Sequence, residues 1–227
     1  MNQEYIYEYE NGKRIRNLGF LKMKKQPDKF TIEIYARDMD EVKGIWLQAS
    51  DGRKYLAWGS FHGIYLTELT EDGLEVDDIH NLTRIAGTAY EGTYIHKRGD
   101  YYYLFASTGS CCEGLKSTYQ TVVGRSKSLY GPYVDKNGGR MLDNCHEILL
   151  SGDENVKGTG HDSQIITDDR GQDWIFYHAY DTKAPNAGRK MYMDRVTWVD
   201  GWPQIGVDEW SGTIHQEVNS ISIKYPD

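Results

Sequence analysis

The sequence is short of cysteine and proline and contains no long apolar run. Its 227 residues include 3 cysteines and 5 prolines. The adjacent Cys111 and Cys112 and the distant Cys145 do not make the framework of a small disulfide-stabilised domain. Neither the N-terminal segment nor any later run has the apolar length of a signal peptide or a transmembrane helix. We therefore expect a cytoplasmic protein, or a secreted or periplasmic one if Met1 begins a trimmed mature chain.

Positive charge is also scarce relative to negative charge. The formal net charge is −8 at pH 7, which argues against a nucleic-acid groove and against binding to an anionic membrane surface. Tyrosine and tryptophan, by contrast, are abundant, with 18 and 6 copies. These residues favour β-strands and offer flat faces on which sugar rings stack. An acidic surface rich in them suits a neutral polyol ligand.

Helical periodicity is almost absent, and a strand–turn–strand pattern recurs instead. Three segments share a turn containing glycine and an aromatic strand that closes on a small residue: DGRKYLAWGS (51–60), RGDYYYLFAS (98–107) and RGQDWIFYHA (170–179). Glycine supplies the positive φ that a tight hairpin needs. Hairpins repeated in this way indicate a β-propeller with one four-stranded blade per repeat. Their irregular spacing leaves a β-sandwich as the alternative.

Five longer motifs surround these hairpins. They are WGSFHGIYLTEL (58–69), YEGTYIHKRGDYYYLFASTGSCCEG (90–114), STYQTVVGRSKSLYGPYVDKNG (117–138), GTGHDSQIITDDRGQDWIFYHAYD (158–181) and RVTWVDGWPQIG (195–206). In this order they resemble glycoside hydrolase family 43, which includes endo-arabinanases, arabinofuranosidases and β-xylosidases. The SCCEG and GRSKSLYGPY stretches are most similar to the arabinanase branch.

The resemblance implies an all-β fold, a β-propeller of the five-bladed type. Residues 1–227 would form a single propeller domain, in which 41–210 are the family-like blades and 1–40 are an atypical N-terminal segment. The propeller is expected to be incomplete by about one blade at the N-terminus. The three hairpins should then surround a shared axis, with Glu91 and His161 at the same end of the domain.

Members of this family invert the anomeric centre with three acids, which are a general base, a general acid and an aspartate that orients the acid. By motif, Glu91 matches the general acid, with Thr93 where the family usually carries proline. The role requires a carboxyl that holds a proton near neutral pH and gives it to the leaving oxygen. Outside that motif, Glu91 would be interpreted as a strand-edge glutamate in water.

The other two acids have no direct match in the sequence. The family's Asp-Pro pair is absent near Lys43-Gly44, and the upstream Asp28, Asp38 and Asp40 lack the family's context. The resemblance implies an inverting glycoside hydrolase acting on arabinan or arabinose-containing plant polysaccharide, with the exact sugar and endo or exo action left open. The alternative is a catalytically silent or truncated carbohydrate-binding propeller that has lost the base. A homo-oligomer, or a partner that supplies a missing blade, is a further arrangement.

The resemblance also implies a cation near the sugar. His161, in the stretch GHDSQ, matches a histidine that helps to hold a hydrated ion, commonly calcium, on the propeller axis. Such an ion would take oxygen ligands and water, with the imidazole as one neutral ligand or as a donor to a bound water. A buried histidine bonded to backbone is the alternative.

Sugar-binding residues are implied on two loops and one strand. Phe61 and His62 match the sugar-binding rim, and Tyr119 either lines the cleft or packs in the core. Cys111 and Cys112 match a cysteine pair beside the sugar pocket. We expect two free thiols there, packed as small apolar groups, rather than a strained vicinal disulfide.

Overall fold

The computed structural model describes residues 52–73, 75–78, 80–167 and 171–206 with their side chains, and five further strands by their backbone alone. The chain forms two compact units, Met1–Lys43 with Val218–Asp227, and Gly44–Glu217. Asp28, Asp38 and Asp40, the upstream acids, lie outside the described residues. The prediction of one propeller domain over the whole chain stays a prediction.

The first unit contains an antiparallel sheet of three strands in the order β1-β2-β3. The strands are β1 (Gln3–Glu10), β2 (Lys13–Gln26) and β3 (Lys29–Ala36). Each follows its neighbour through a short connection, as in a meander.

The second unit is built from three consecutive antiparallel sheets, which we call the first, second and third blades. The first blade consists of β4 (Gly44–Gln48), β5 (Lys54–Trp58), β6 (Ile64–Glu68) and β7 (Thr83–Ala86). The second consists of β8 (Glu91–Arg98), β9 (Tyr101–Thr108), β10 (Gln120–Ser126) and β11 (Glu147–Leu150). The third consists of β12 (Val156–Gly160), β13 (Ile166–Thr167), β14 (Asp173–Asp181), β15 (Arg189–Val199), β16 (Trp202–Ile205) and β17 (Gln216–Glu217).

The described helical segments are short 3₁₀ turns at Gly114–Lys116, Met141–Asp143 and Pro185–Ala187. No helix within the described part of the chain has the length and apolar character needed to cross a membrane. The predicted all-β class is confirmed.

The three predicted hairpins are present, one in each blade. Strand β4 pairs with β5, β8 with β9, and β13 with β14, all antiparallel. Gly52, Gly99 and Gly171 have φ of 86°, 54° and 74°, which are left-handed values that glycine adopts without a Cβ clash. The first and second blades continue as four-stranded meanders, and in the third both β12 and β13 pair with β14. The sheets follow one another along the chain, which is the order of propeller blades and differs from two facing sheets of a sandwich.

Aromatic and aliphatic side chains hold the blades together. A core spanning the first and second blades includes Tyr55, Leu66, Tyr90, Leu104 and Met141, each at most 1% exposed. The amide of Phe61 donates to the carbonyl of Tyr90 over 2.8 Å, linking the first blade to the residue that precedes Glu91.

A second aromatic layer joins the second and third blades. The rings of Tyr94 and Phe105 stack at 4.8 Å and 4°, in a cluster that also contains Tyr103 and Trp202. The Tyr103 hydroxyl donates to the carbonyl of Gly201 over 2.6 Å. Because aromatic pairs bury large areas, these contacts fix the third blade against the second.

Candidate active site

Glu91 is held by two hydroxyl groups from neighbouring parts of the second unit. Ser60, in the loop after β5, donates to Oε2 of Glu91 over 3.0 Å. Tyr119, immediately before β10, donates to Oε1 over 2.8 Å. The pairing of β8 with β9 is irregular between Glu91 and Tyr94, and Glu91 is half-buried. It is therefore a fixed carboxyl between the first and second blades, unlike a freely solvated strand-edge glutamate.

The Tyr119 hydroxyl connects Glu91 with His161. Its oxygen lies 3.3 Å from Nδ1 of His161, while the His161 amide donates to Oγ of Ser107 over 2.8 Å. His161 has φ of 52°. Burial and the bond to Glu91 raise the pKa of Tyr119 well above its ordinary value, so its hydroxyl remains a donor. The prediction that Glu91 and His161 lie at the same end of the unit is confirmed.

Gly92 leaves room for the His161 ring. Its φ is +57°, and a Cβ there would stand 3.2 Å from Nδ1 of His161. Both the backbone angle and the space therefore favour glycine directly after Glu91.

His178, on β14, was not predicted from the sequence. Its ring stacks on Tyr119 with centroids 5.6 Å apart and planes 10° apart, and on His161 at 6.3 Å and 21°. Burial lowers the pKa of His178 to about 4, helped by Arg189 and His161. The ring is therefore neutral, and Nε2 lies 3.4 Å from Nη1 of Arg189. The alternating burial of β14 indicates which residues face inward, but does not reveal the ring that each one meets.

Asp162 also lies behind the site and is 5% exposed. Its Oδ1 accepts a long hydrogen bond of 3.4 Å from Oγ1 of Thr121. Oδ2 has no partner among the described residues. Burial raises the pKa of Asp162 to about 8, because the uncharged form of a carboxyl is favoured where water is excluded.

Phe61 and His62 lie beside Glu91 at the edge of the site. Phe61 is 41% exposed and has φ of 53°. Nδ1 of His62 lies 3.0 Å from the carbonyl oxygen of Ser60, the residue whose hydroxyl holds Glu91. Their predicted contact with sugar stays a prediction. Tyr119 is 1% exposed, and its ring is packed while its hydroxyl faces Glu91.

Cys111 and Cys112 are joined by a disulfide bond, so the expectation of two free thiols was wrong. The loop after β9 is closed by bonds between its ends, with the Ser110 amide donating to Oγ1 of Thr118 over 3.0 Å and the Tyr119 amide to the Ser110 carbonyl over 3.1 Å. The disulfide lies within this closed loop. The loop's bond to Tyr119 also ties it to the site.

The described residues around His161 include no cluster of metal-ligating side chains. Over residues 52–73, 75–78, 80–167 and 171–206, no three His, Cys, Asp or Glu side chains gather in a group that could hold a metal. His161 is exposed, and one edge of its ring faces Tyr119. Calcium takes 6–8 oxygen ligands. An ion at His161 would therefore take most of its ligands from water.

Similarity to known proteins agrees with this geometry. The sequence profile of glycosyl hydrolases family 43 matches residues 10–203. The extracellular exo-α-(1→5)-L-arabinofuranosidase ArbA of Cellvibrio japonicus is 36% identical over 183 residues, which are 74% of this chain and 52% of ArbA. The extracellular endo-α-(1→5)-L-arabinanase 1 of Bacillus subtilis is 38% identical over 164 residues, 67% of this chain and 47% of that protein. The chain spans about half the length of these curated relatives.

Solved structures give the same result for the fold. The GH43 endo-arabinanase of Bacillus licheniformis aligns with a TM-score of 0.66 and 31% identity, covering 82% of this chain and 66% of the other. The Cellvibrio cellulosa α-L-arabinanase complexed with arabinohexaose aligns with a TM-score of 0.65 and 30% identity, covering 82% and 67%. The predicted fold class, an all-β propeller of the five-bladed type, is confirmed. This chain is a member of glycosyl hydrolases family 43.

Proposed function

We propose that this protein is a glycoside hydrolase that acts on arabinan or on arabinose-containing plant polysaccharide, with Glu91 as the general acid of an inverting reaction. The observation that carries the proposal is the half-buried Glu91 carboxyl, fixed through both oxygens by Ser60 and Tyr119. The similar proteins include an exo-acting arabinofuranosidase, an endo-arabinanase and an arabinanase complexed with arabinohexaose. An arabinose-containing chain is therefore the substrate class to test first.

The two hydroxyl donors fit the chemistry of an acid. In the reaction, Glu91 transfers its proton to the glycosidic oxygen as the bond to the anomeric carbon breaks, and the carboxyl becomes a carboxylate. Hydrogen bonds to a charged acceptor are stronger than those to a neutral one. The bonds from Ser60 and Tyr119 therefore strengthen as the proton leaves, which favours transfer and holds the carboxyl in one orientation.

An inverting reaction also needs a base on the opposite face of the sugar, with the two carboxyl groups roughly 6.5–9.5 Å apart. Asp162 does not fit that role, because its carboxyl is buried away from solvent and burial raises its pKa, which disfavours the charged form that a base needs. We assign the water-activating base to no residue within the described ranges. A chain that binds sugar without turnover would be the silent carbohydrate-binding propeller.

We also propose that His161 contacts a hydrated calcium ion. The support is its exposed imidazole next to the hydroxyl that holds Glu91. When bound, such an ion would supply positive charge and ordered water near the sugar. One ring nitrogen of His161 would contact the ion, and the other would keep its contact with the Tyr119 hydroxyl.

The deciding experiment compares the wild-type protein with Glu91→Gln. The amide keeps the shape of the side chain but has no proton to give, so hydrolysis of arabinan should fall by about 10²–10⁴-fold. Hydrolysis of an aryl arabinofuranoside with a good leaving group should fall less, because that leaving group needs little protonation. Binding of an arabino-oligosaccharide, measured by calorimetry, should persist.

Glu75→Gln is the matched control, because Glu75 is exposed in the turn after β6 and should be neutral in both assays. Equal arabinan turnover by wild type and Glu91→Gln would show that Glu91 is not the general acid. Sugar binding with no turnover by either protein would establish the silent propeller.

A further inference from the structure

The Tyr119 ring lies between Glu91 and a histidine of the third blade. Its hydroxyl donates to Oε1 of Glu91 over 2.8 Å. Its ring plane is within 10° of the His178 ring at 5.6 Å. Glu91 and Tyr119 belong to the second blade and its loops, whereas His178 lies on β14 of the third. His178, in the third blade, thus contacts the tyrosine that donates a hydrogen bond to the Glu91 carboxyl.

The position of Tyr119 is restricted on further sides. It is 1% exposed, and a Cβ added to Gly160 would overlap its ring, so the backbone of β12 lies directly against it. Its hydroxyl is shared with Nδ1 of His161 at 3.3 Å. With the ring packed in this way, the direction of the hydroxyl follows from the tilt of the ring.

The stacked histidine is itself held in place. Nε2 of His178 lies 3.4 Å from Nη1 of Arg189, at the start of β15, and its ring also stacks on His161. His178 is half-buried in β14 between the buried residues Tyr177 and Ala179. The third blade therefore sets the backbone position of His178, and its contacts with Arg189 and His161 restrict the ring.

We propose that His178 is a positioning residue whose ring, stacked on Tyr119, sets the direction of the Tyr119 hydroxyl and thereby the orientation of the Glu91 carboxyl. The inference rests on the proposed role of Glu91 as the general acid. Small displacements of a reacting group are expensive, because about 1 Å of misplacement can cost roughly 10²-fold in rate. This role requires a flat ring at position 178 and does not require the imidazole nitrogens.

The kinetic test uses substitutions that separate ring from volume. His178→Phe keeps a flat ring and should retain kcat within about twofold, whereas His178→Leu and His178→Ala should lower kcat about tenfold with KM within about twofold. Tyr119→Phe should also lower kcat about tenfold. The double variant Tyr119→Phe/His178→Leu should be no slower than Tyr119→Phe alone, because His178 then has no hydroxyl to direct.

His96→Ala provides the matched control. His96 is also an imidazole stacked on an aromatic ring, Trp198, at 5.8 Å and 21°, but it lies towards the far end of β8 from Glu91. Its removal should leave kcat and KM unchanged. Equal kcat for His178→Phe and His178→Leu, or additive losses in the double variant, would overturn the proposal.

A second readout does not depend on turnover. In protein labelled with ¹³C at the glutamate carboxyl, the Glu91 resonance is identified by its loss in Glu91→Gln. It should shift in Tyr119→Phe and in His178→Leu, and stay in place in His178→Phe and His96→Ala. An unshifted resonance in His178→Leu would refute the positioning role. A wild type without turnover would refute the proposed function, and the resonances would still decide the role of His178.

Discussion

Arg98, the last residue of β8, donates a hydrogen bond from Nη1 to Oδ2 of Asp173, the first residue of β14, over 2.8 Å. The Asp173 side chain is 4% exposed and that of Arg98 is 48% exposed. Oδ2 also accepts from Nε1 of Trp198 over 2.7 Å, and Oδ1 accepts from Oγ1 of Thr167 over 2.6 Å. The hairpin turn of the second blade is thus anchored to a buried, fully bonded carboxylate of the third.

The two sides of this ion pair should contribute unequally to stability. Asp173→Ala removes a buried carboxylate with three donors and leaves the partly buried Trp198 N–H without its acceptor, so it should lower the free energy of unfolding by about 2–3 kcal/mol. Arg98→Ala removes a half-exposed cation, while the carboxylate keeps two donors, so we expect a loss of about 1 kcal/mol. Urea unfolding measures both. Equal losses would contradict the unequal burial on which this prediction rests.

Asp162 should make stability depend on pH. Burial raises its pKa from 3.8 to about 8, so between these values the folded state holds a proton that the unfolded state has released. Stability should therefore fall as pH rises through this window. The effect is at most about 6 kcal/mol, since each pKa unit corresponds to about 1.4 kcal/mol.

The variant Asp162→Asn has no carboxyl proton to lose. Its free energy of unfolding should therefore differ less between pH 5 and pH 8 than that of wild type. Asp77→Asn is the control, because Asp77 is exposed and its replacement should leave the pH dependence unchanged. Urea unfolding at the two pH values gives the comparison. An unaltered pH dependence in Asp162→Asn would mean that Asp162 is not the group responsible.

Calcium should stabilise the folded protein through His161. A ligand that binds only the folded state adds about 2.7 kcal/mol at a concentration 100 times its Kd, so added calcium should raise Tm and a chelator should lower it. His161→Leu cannot coordinate an ion and should lose this response. Differential scanning fluorimetry with and without calcium provides the measurement. The same calcium response in wild type and His161→Leu would place the ion elsewhere.

The cysteines should differ in reactivity. Cys111 and Cys112 are bonded to one another, and Cys145 is the free cysteine of the described residues. Alkylation of denatured, unreduced protein should therefore label Cys145 alone, and prior reduction should expose all 3 cysteines. Peptide mass mapping identifies the labelled positions. Labelling of Cys111 or Cys112 without prior reduction would show that these two cysteines are free thiols.

The hairpins could be predicted from the sequence because their determinants are local. Gly52, Gly99 and Gly171 mark turns whose flanking residues alternate, and the chain pairs there as expected. The prediction that Glu91 and His161 lie at the same end of the unit followed from the family resemblance.

The contacts behind the site could not be predicted in the same way. Alternation assigns His178 to one face of β14, but the ring that it meets depends on how the third blade is rotated against the second. The burial of Asp162 likewise depends on packing between strands, where Thr121 of β10 contacts it. The bond between Cys111 and Cys112 depends on the local backbone conformation of one loop, which no periodicity encodes.

The support of Glu91 is distributed along the chain in the order of synthesis. Ser60 precedes the carboxyl, whereas Tyr119 and His178 follow it, the latter in the third blade. A ribosome releases the N-terminal part of a chain first. A nascent chain therefore exposes Glu91 before the tyrosine and the imidazole that align it have been made. This alignment of the Glu91 carboxyl therefore requires the third blade to be made and packed against the second.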